Sequence, residues 1–241
     1  MTARVDVLLT KEEVSPERIS GSIVVVLDVL LATTTIAYAL RQGMPRVLPV
    51  AGESAARAGA DALGPDECLL AGEWLGRPIP SFAPIDPLRW AWPDCAQRSL
   101  ILSSTNGTVA LASAWHAKEL YAGALVNADA VARDAAARGA GDDVLLVCAG
   151  SSGRFAFDDF LAAGCIVERL SRVGEWLPSD AALAALAAYR AHAQDIAGAL
   201  RLSRTGRWLV REGFGDLVEL AGGVDRMPLV ARREAGWLVR A

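Results

Sequence analysis

Residues 143–172, DVLLVCAGSSGRFAFDDFLAAGCIVERLSR, decide the fold. The apolar run at 143–148 is typical of a strand buried on both faces, and residues 157–172 place apolar side chains at helical spacing. A turn rich in glycine and serine joins the two segments. A buried strand that leads through such a turn into a helix is the building unit of a layered α/β protein.

The same alternation continues towards the amino terminus. Further strands are predicted at 4–9, 22–27, 46–50, 67–71, 99–102 and 119–121, and helices at 32–42, 54–63, 107–115 and 128–138. Alternation of this kind favours a sheet with helices on both faces. We therefore expect an α/β protein, a three-layer α/β/α fold with a mixed, largely parallel sheet.

The pattern changes after residue 178. A long alanine-rich helix is predicted from 179 to about 200, then a glycine-punctuated stretch at 205–223, and short strands at 227–230 and 236–239. No composition break marks a linker, so we expect residues 1–241 to form a single domain with a helical C-terminal elaboration. Five prolines between residues 78 and 93 predict a long loop at 77–94, and long loops in compact domains are often functional.

Composition excludes several classes of function. The 241 residues carry a net charge of −4, which argues against a nucleic acid or an anionic membrane as the main partner. Charged residues interrupt the amino-terminal apolar run, and no run of about 18 apolar residues exists, so we expect a cytoplasmic protein without a membrane span. The cysteines form no C-x-x-C pair, and Cys148 and Cys165 are predicted to be small core residues.

Three predicted strands end in small, hydroxyl-rich or glycine-rich loops that lead into helices. These are LDVLLATTT at 27–35, LSSTNGT at 102–108 and CAGSSGRFAFDD at 148–159. Loops at such positions present backbone N–H groups and the positive end of a helix dipole, which together favour an anion such as a phosphate ester. Serine and threonine are also ordinary helix caps, so three routine caps are the alternative interpretation.

Carboxylates accompany these loops. Asp28 ends an apolar strand, Glu73 follows Gly72, and Asp158 and Asp159 come just after the third loop. Carboxylates beside phosphate donors are the ligands that Mg²⁺ requires, and we therefore expect magnesium as cofactor. Asp158 and Asp159 could instead be acids that favour the first turn of a helix.

Four segments in this order, VVVLDVLLATTTIAYAL, AGEWLGRPI, LILSSTNGTVAL and VCAGSSGRFAFDDFLAAGCI, resemble the 2-phosphosulfolactate phosphatase (ComB-type) family. The tail, LRLSRTGRWLVREGFGDLVELAG followed by MPLV, is similar as well, so the resemblance covers nearly the whole chain. It implies a Mg²⁺-dependent phosphatase that converts 2-phospho-3-sulfolactate to 3-sulfolactate and phosphate, a step towards coenzyme M. The implied partner is a small phosphorylated anionic substrate.

The resemblance also implies roles for residues. Asp28 and Glu73 match acidic positions suited to the metal, and Asp28 and Asp159 are the predicted catalytic acids. The predicted substrate-binding residues are Thr34, Thr35, Ser104, Thr105, Asn106, Gly107, Thr108, Gly150 and Gly153.

The chain departs from the family pattern at three positions. Leu31 and Trp74 stand where the family usually has arginine, and Ala83 stands where it has an acid. An arginine grips phosphate or sulfonate through two charged hydrogen bonds that leucine cannot make. Replacement charge would have to come from elsewhere, and the candidates are Arg77, Arg89 and Arg154.

Several alternatives stay open at this point. Either water or Asp28 could attack phosphorus, and Cys148 to Arg154 matches the C-x₅-R spacing of cysteine phosphatases. The departures at Leu31, Trp74 and Ala83 also suit a non-catalytic relative that binds a small anion or a partner protein. Residues 74–92 could form an assembly contact, and a homodimer is the assembly that base rates favour.

Overall fold

The computed structural model describes residues 2–64, 66–92, 94–139 and 141–241; Pro93 of the predicted loop lies outside them. The strands within these residues are β1 (Arg4–Leu8), β2 (Ile23–Leu27), β3 (Arg46–Val50), β4 (Cys68–Trp74), β5 (Arg77–Pro78), β6 (Ser99–Ser103), β7 (Glu119–Gly123), β8 (Val144–Cys148), β9 (Leu177–Pro178), β10 (Ala231–Glu234) and β11 (Trp237–Arg240). The α-helices are α1 (Pro16–Ile19), α2 (Ala32–Arg41), α3 (Glu53–Leu63), α4 (Gly107–Ser113), α5 (Ala128–Arg138), α6 (Phe157–Val173), α7 (Asp180–His192), α8 (Ile196–Leu202), α9 (Arg204–Arg211) and α10 (Gly215–Ala221).

All the strands belong to one sheet in the order β5-β4-β6-β3-β11-β10-β7-β2-β8-β1-β9. The sheet contains two groups of strands, and the strands in each group are parallel to one another. The groups are β4–β6–β3 on one side and β7–β2–β8–β1–β9 on the other. The antiparallel hairpin β10–β11 joins these groups by pairing with β7 and with β3. The expected mixed, largely parallel sheet is confirmed.

Side chains of the sheet alternate between two helical layers. In β2, Val24 and Val26 pack with α2 and α4, while Val25 and Leu27 pack with α5 and α6 on the other face. A smaller cluster seats α3 against β4 and β6 through Ala56 and Ile101. All five residues of β2 are buried, as a central strand covered on both faces requires. These layers give the expected three-layer α/β/α fold.

The sheet curls around α2, which contacts β3, β7, β10 and β11. Three antiparallel pairings lie between β3 and β7. The two parallel groups of strands, and with them β6 and β2, therefore run in opposite directions along the sheet. Their carboxyl-terminal loops nevertheless meet, because twist and curvature bring the two groups together over α2 and α4. This curvature positions the site described below.

The carboxyl-terminal part differs from the sequence prediction. The single helix predicted at 179–200 is two helices, α7 and α8, because the Asp195 side chain accepts the Gly198 N–H at 2.8 Å and starts a new helix. The glycine-punctuated stretch forms α9 and α10. The strand predicted at 227–230 is wrong: pairing begins at Ala231, and its partner strand begins at Trp237.

The strand predicted at 236–239 is confirmed as β11, and charge explains why only its partner β10 was misplaced. Arg232 of β10 is buried against the sheet, where its Nη1 lies 3.1 Å from Asp134. Asp134 also accepts a hydrogen bond from the fully buried Tyr121 hydroxyl at 2.9 Å. A buried arginine in a strand is stable only with such partners, which a strand pattern of apolar residues does not reveal.

All four cysteines, Cys68, Cys95, Cys148 and Cys165, are free and buried, and the predicted core role of Cys148 and Cys165 is confirmed. In the described part of the chain, the helices are too short or too polar to cross a bilayer.

Candidate functional site

A cavity of about 1070 Å³ lies where the loops after β2, β6 and β8 meet the β4–β5 turn and helices α8 to α10. Its walls combine acids, small polar residues and, from the carboxyl-terminal helices, arginines and aromatic rings. The predicted site residues that line it are Asp28, Glu73, Ser104, Thr105, Asn106, Gly150 and Asp159.

Direct contacts join the three strand-end loops in pairs. The Val29 N–H of the first loop donates to Asp159 Oδ1 of the third at 2.9 Å. The Ser152 N–H of the third loop donates to Asn106 Oδ1 of the second at 3.1 Å. Gly107 of the second loop packs directly on Asp28 of the first. The loops that the sequence singled out therefore form one constellation.

Asp28 stands at the centre of this constellation. It follows β2 directly and is only 8% exposed. Burial raises the pKa of Asp28 to about 7, and the negative charges of Asp158 and Glu73 act in the same direction. The backbone N–H groups of Ala32 and Gly107, at the starts of α2 and α4, oppose the shift by stabilising the carboxylate. Asp28 is thus an acid whose charged form is incompletely compensated.

Asp159 and Asp158 occupy the first turn of α6 and are almost fully buried. The Asp159 oxygens accept the N–H groups of Val29 and of Gly150, the latter at 3.0 Å. Burial, then Asp158 and Asp28, raise the pKa of Asp159 well above its ordinary value. Because both oxygens bond backbone amides, the contacts favour a positioning role, and the assignment of Asp159 as a catalytic acid stays a prediction.

Asp158, which the sequence analysis named among the acids beside the loops without a specific role, also lines the cavity. Burial raises the pKa of Asp158 to about 6, while the Ser203 hydroxyl and Arg204 favour its charged form. Ser203 caps α9 by accepting the Gly206 N–H at 2.9 Å. Asp158 therefore connects the acidic end of the cavity with the carboxyl-terminal helices.

Glu73 fixes the β4–β5 turn against the second loop. Its Oε1 accepts the Thr105 N–H at 2.7 Å, and its Oε2 accepts the Thr105 hydroxyl at 3.0 Å and the Gly76 N–H at 2.7 Å. The Leu75 N–H donates in turn to Thr105 Oγ1. A carboxylate has about four acceptor positions, so three such bonds leave Glu73 little capacity for a further ligand.

Asn106 is held in a defined orientation. Its Oδ1 accepts Lys11 Nζ at 3.1 Å as well as the Ser152 N–H, so two donors settle which end of the amide is oxygen. Among the described residues no acceptor bonds Asn106 Nδ2, and Asn106 lines the cavity. The side chain therefore offers an N–H₂ donor there. Lys11 has no motif around it, and sequence reasoning missed it.

Several predicted substrate-binding residues support the loops instead of lining the cavity. Thr34 Oγ1 donates to the Val29 carbonyl at 2.8 Å, and Thr35 Oγ1 donates to the Ile85 carbonyl at 2.9 Å. Thr108 and Ser104 bond each other: the Thr108 N–H donates to Ser104 Oγ at 3.0 Å, and the Ser104 N–H donates to Thr108 Oγ1 at 2.8 Å. The predicted residues outside the lining are Thr34, Thr35, Gly107, Thr108 and Gly153.

The positive charge of the cavity comes from an unexpected segment. Arg77, Arg89 and Arg154, the candidates named from the sequence, do not line it. The arginines that do are Arg201, Arg204, Arg207 and Arg211 of α8 and α9. Their spacing of three or four residues in RLSRTGRWLVR was the available signal, since such residues share one side of a helix. The departure Leu31 also lines the cavity, whereas Trp74 and Ala83 do not.

A cysteine nucleophile does not fit this site. Cys148 is fully buried in the core and lies outside the cavity lining, as does Arg154. Burial, together with the charges of Asp159 and Asp158, raises the pKa of the Cys148 thiol well above its ordinary value. A nucleophilic cysteine needs a lowered pKa, so the match of Cys148 and Arg154 to the C-x₅-R spacing does not indicate a cysteine phosphatase.

Comparison with known proteins places the chain in a family. Residues 8–236 match the family model described as 2-phosphosulpholactate phosphatase. A protein of Deinococcus radiodurans, named "Probable 2-phosphosulfolactate phosphatase", is 37% identical over 95% of this chain and 92% of its own length. Proteins with the same name from Symbiobacterium thermophilum (35% identical, 83% and 86% covered) and Clostridium acetobutylicum (28%, 97% and 98%) also match.

Proposed function

Because the chain belongs to the 2-phosphosulpholactate phosphatase family, we propose that it hydrolyses 2-phospho-3-sulfolactate to 3-sulfolactate and phosphate. The observation that carries the proposal is the convergence of three strand-end loops on the buried Asp28 carboxylate. Family resemblance further suggests that the product serves the synthesis of coenzyme M.

The protein groups have distinct tasks in this proposal. The Asn106 amide, held by Lys11 and the Ser152 N–H, would donate to a phosphate oxygen. Asp159 would keep the first and third loops in register through the N–H groups of Val29 and Gly150. Preorganised donors of this kind stabilise charge that develops in the transition state without reorganising at the moment of reaction.

We propose Mg²⁺ as the cofactor, with Asp28 as its principal protein ligand. The fit is supported by the raised pKa of Asp28, since a divalent cation would offset the repulsion from Asp158 and Glu73. Asp158 is the candidate to share the ion, whereas the predicted metal role of Glu73 would require its carboxylate to give up hydrogen bonds to Thr105 or Gly76. When bound, the ion would polarise the phosphoryl oxygen and lower the pKa of a bound water.

Mg²⁺ would not require a cluster of protein ligands at this site. Across the residues that the structure describes, no group of three or more histidine, cysteine, aspartate or glutamate side chains is arranged to hold a metal ion. Mg²⁺ is commonly held by one or two carboxylates and keeps water and substrate phosphate oxygens as its other ligands.

The proposal is tested by phosphate release from 2-phospho-3-sulfolactate, 2-phospholactate and phosphoglycolate, each in Mg²⁺ and in EDTA. We expect release that depends on Mg²⁺ and is fastest with 2-phospho-3-sulfolactate. Folded protein that releases no phosphate from any of these esters would contradict the proposal and direct attention to anion binding without turnover.

A further inference from the structure

The cavity lining combines two chemically different groups of residues. The loop after β2 and the start of α6 supply the acids Asp28, Asp158 and Asp159, and helices α8 and α9 supply four arginines. The three acids bring only negative charge. A substrate that carries acid groups besides its phosphate must place them where cations compensate them, which is beside the arginines.

The four arginines are not equivalent. Arg201 pairs with Glu219, and Arg211 Nε lies 3.4 Å from Glu212 Oε1. For Arg204 and Arg207, no carboxylate of the described residues lies within ion-pair distance. Each donates to a main-chain carbonyl, Arg204 to Ser151 and Arg207 to Leu202, and Arg204 also lies near enough to Asp158 to favour its charged form. Neither guanidinium group has an ion-pair partner in the described part of the chain, so both can accept an anion.

Arg204 and Arg207 are also positioned to act together. They are three residues apart on α9, so their side chains project from the same side of the helix. Arg204 Nη2 donates to the Ser151 carbonyl at 2.8 Å, which ties it to the third loop. Trp208, the residue after Arg207, packs on Gly76, so α9 contacts the β4–β5 turn at the cavity.

We propose that Arg204 and Arg207 form the subsite for the acid groups that the substrate carries in addition to its phosphate. They supply, from α9, the positive charge that Leu31 does not supply in the first loop. The inference rests on the proposed phosphatase function and specifies which part of the chain sets substrate preference. This subsite binds the carboxylate and sulfonate of phosphosulfolactate through charge-assisted, bidentate hydrogen bonds.

The test compares Arg204→Gln and Arg207→Gln with the natural protein on 2-phospho-3-sulfolactate, 2-phospholactate and ethyl phosphate. These esters carry two, one and no acid groups besides the phosphate. We expect kcat/KM to fall about 10- to 100-fold for the first ester, less for the second and hardly at all for the third, mainly through KM. Arg207→Lys should recover part of the loss.

Arg190→Gln is the matched control, because it removes the same charge from a neighbouring helix, α7, at an arginine that lies outside the cavity lining and pairs with Glu168. An equal loss of kcat/KM in Arg190→Gln would show a general effect of net charge and overturn the subsite. An equal loss on all three esters, or no loss on phosphosulfolactate, would overturn it as well.

Binding of 3-sulfolactate, measured by calorimetry, tests the subsite without turnover. We expect Arg204→Gln and Arg207→Gln to weaken this binding about tenfold or more, while melting temperature stays unchanged. If the natural protein hydrolysed no ester but showed this pattern, the phosphatase proposal would fail and the subsite would stand. Equal binding by all variants, or none by any protein, would overturn the subsite.

Discussion

Gly107 lies so close to Asp28 that a β-carbon added at position 107 would come within 2.3 Å of the Asp28 Oδ2 atom. The same β-carbon would lie 2.7 Å from the Ala32 Cβ. The first turn of α4 therefore approaches the acid and the first turn of α2 with no space for any side chain. This contact makes the glycine of the STNGT motif a structural requirement of the site.

We predict that Gly107→Ala damages both fold and activity. Relieving the overlap requires α4 to move away from Asp28, and overpacking of this kind costs about 1–3 kcal/mol. The melting temperature should fall by roughly 2–4 °C for each kcal/mol in a chain of this size. Phosphate release should fall by more than the loss of folded protein explains, because the backbone N–H of residue 107 would no longer bond the Asp28 carboxylate.

Gly59→Ala is the control for Gly107→Ala. Gly59 lies in α3, and a β-carbon there would meet Ile101 and Leu48 at 3.4 Å, an ordinary contact distance. Alanine inside a helix is favoured over glycine by about 0.5–1 kcal/mol, so this variant should be as stable as the natural protein or more so. A Gly107→Ala protein with unchanged melting and activity would contradict the account.

Asp28→Asn should stabilise the metal-free protein at neutral pH. The folded-state pKa of Asp28 is raised to about 7 by burial and by Asp158 and Glu73, while the unfolded-state pKa is near the ordinary value of about 4. Between about pH 4 and pH 7 the folded state therefore holds more protons than the unfolded state. Its stability falls as pH rises through this window.

The measurement for Asp28→Asn is the melting temperature against pH in EDTA. We expect the melting temperature of the variant to rise relative to that of the natural protein from about pH 4 to pH 7. Above pH 7 the difference between the two melting temperatures should be constant. Mg²⁺ should narrow the difference by stabilising only the natural protein. If the difference in melting temperature between Asp28→Asn and the natural protein does not change with pH, Asp28 carries no uncompensated charge.

Asn106→Asp should leave the fold intact and abolish most activity. An aspartate at this position keeps the oxygen that accepts Lys11 Nζ and the Ser152 N–H, but it replaces the Nδ2 donor with a second, negative oxygen. That oxygen would repel a phosphate. We expect kcat/KM to fall about 100-fold or more.

The kinetic assay of Asn106→Asp is accompanied by a measurement of its melting temperature. Melting close to that of the natural protein would separate loss of the donor from loss of structure. A variant that melts normally and keeps its natural kcat/KM would contradict the role assigned to the amide.

The strand–helix unit at 143–172 and the layers around it could be predicted from the sequence, because apolar runs and helical spacing are local properties. The convergence of the three loops could also be anticipated. The last strand, predicted at 236–239, is observed at Trp237–Arg240, but its partner Ala231–Glu234 could not be predicted, because the buried Arg232 is compensated by Asp134 from a distant helix. Arg204 and Arg207 were missed because their spacing indicates only that they share one side of a helix, whereas the folding of distant segments brings α9 to the cavity.

Thr34 and Thr35 show a different limit of the sequence. Hydroxyl groups beside a strand end suit an anion, but these two donate to the carbonyls of Val29 and Ile85. A hydroxyl that satisfies a buried backbone group and one that binds a ligand look alike in sequence.

The central claim is that Asp28 organises a Mg²⁺-dependent phosphatase site. Its most direct test is the rate of phosphate release from 2-phospho-3-sulfolactate in Mg²⁺ by the natural protein, by Asp28→Asn and by Asp129→Asn, a control at the exposed partner of Arg133. We predict that the natural protein and Asp129→Asn release phosphate equally and that EDTA stops both. Asp28→Asn should release none while melting at the same temperature or higher. Undiminished release by Asp28→Asn, or release that EDTA does not affect, would contradict the claim.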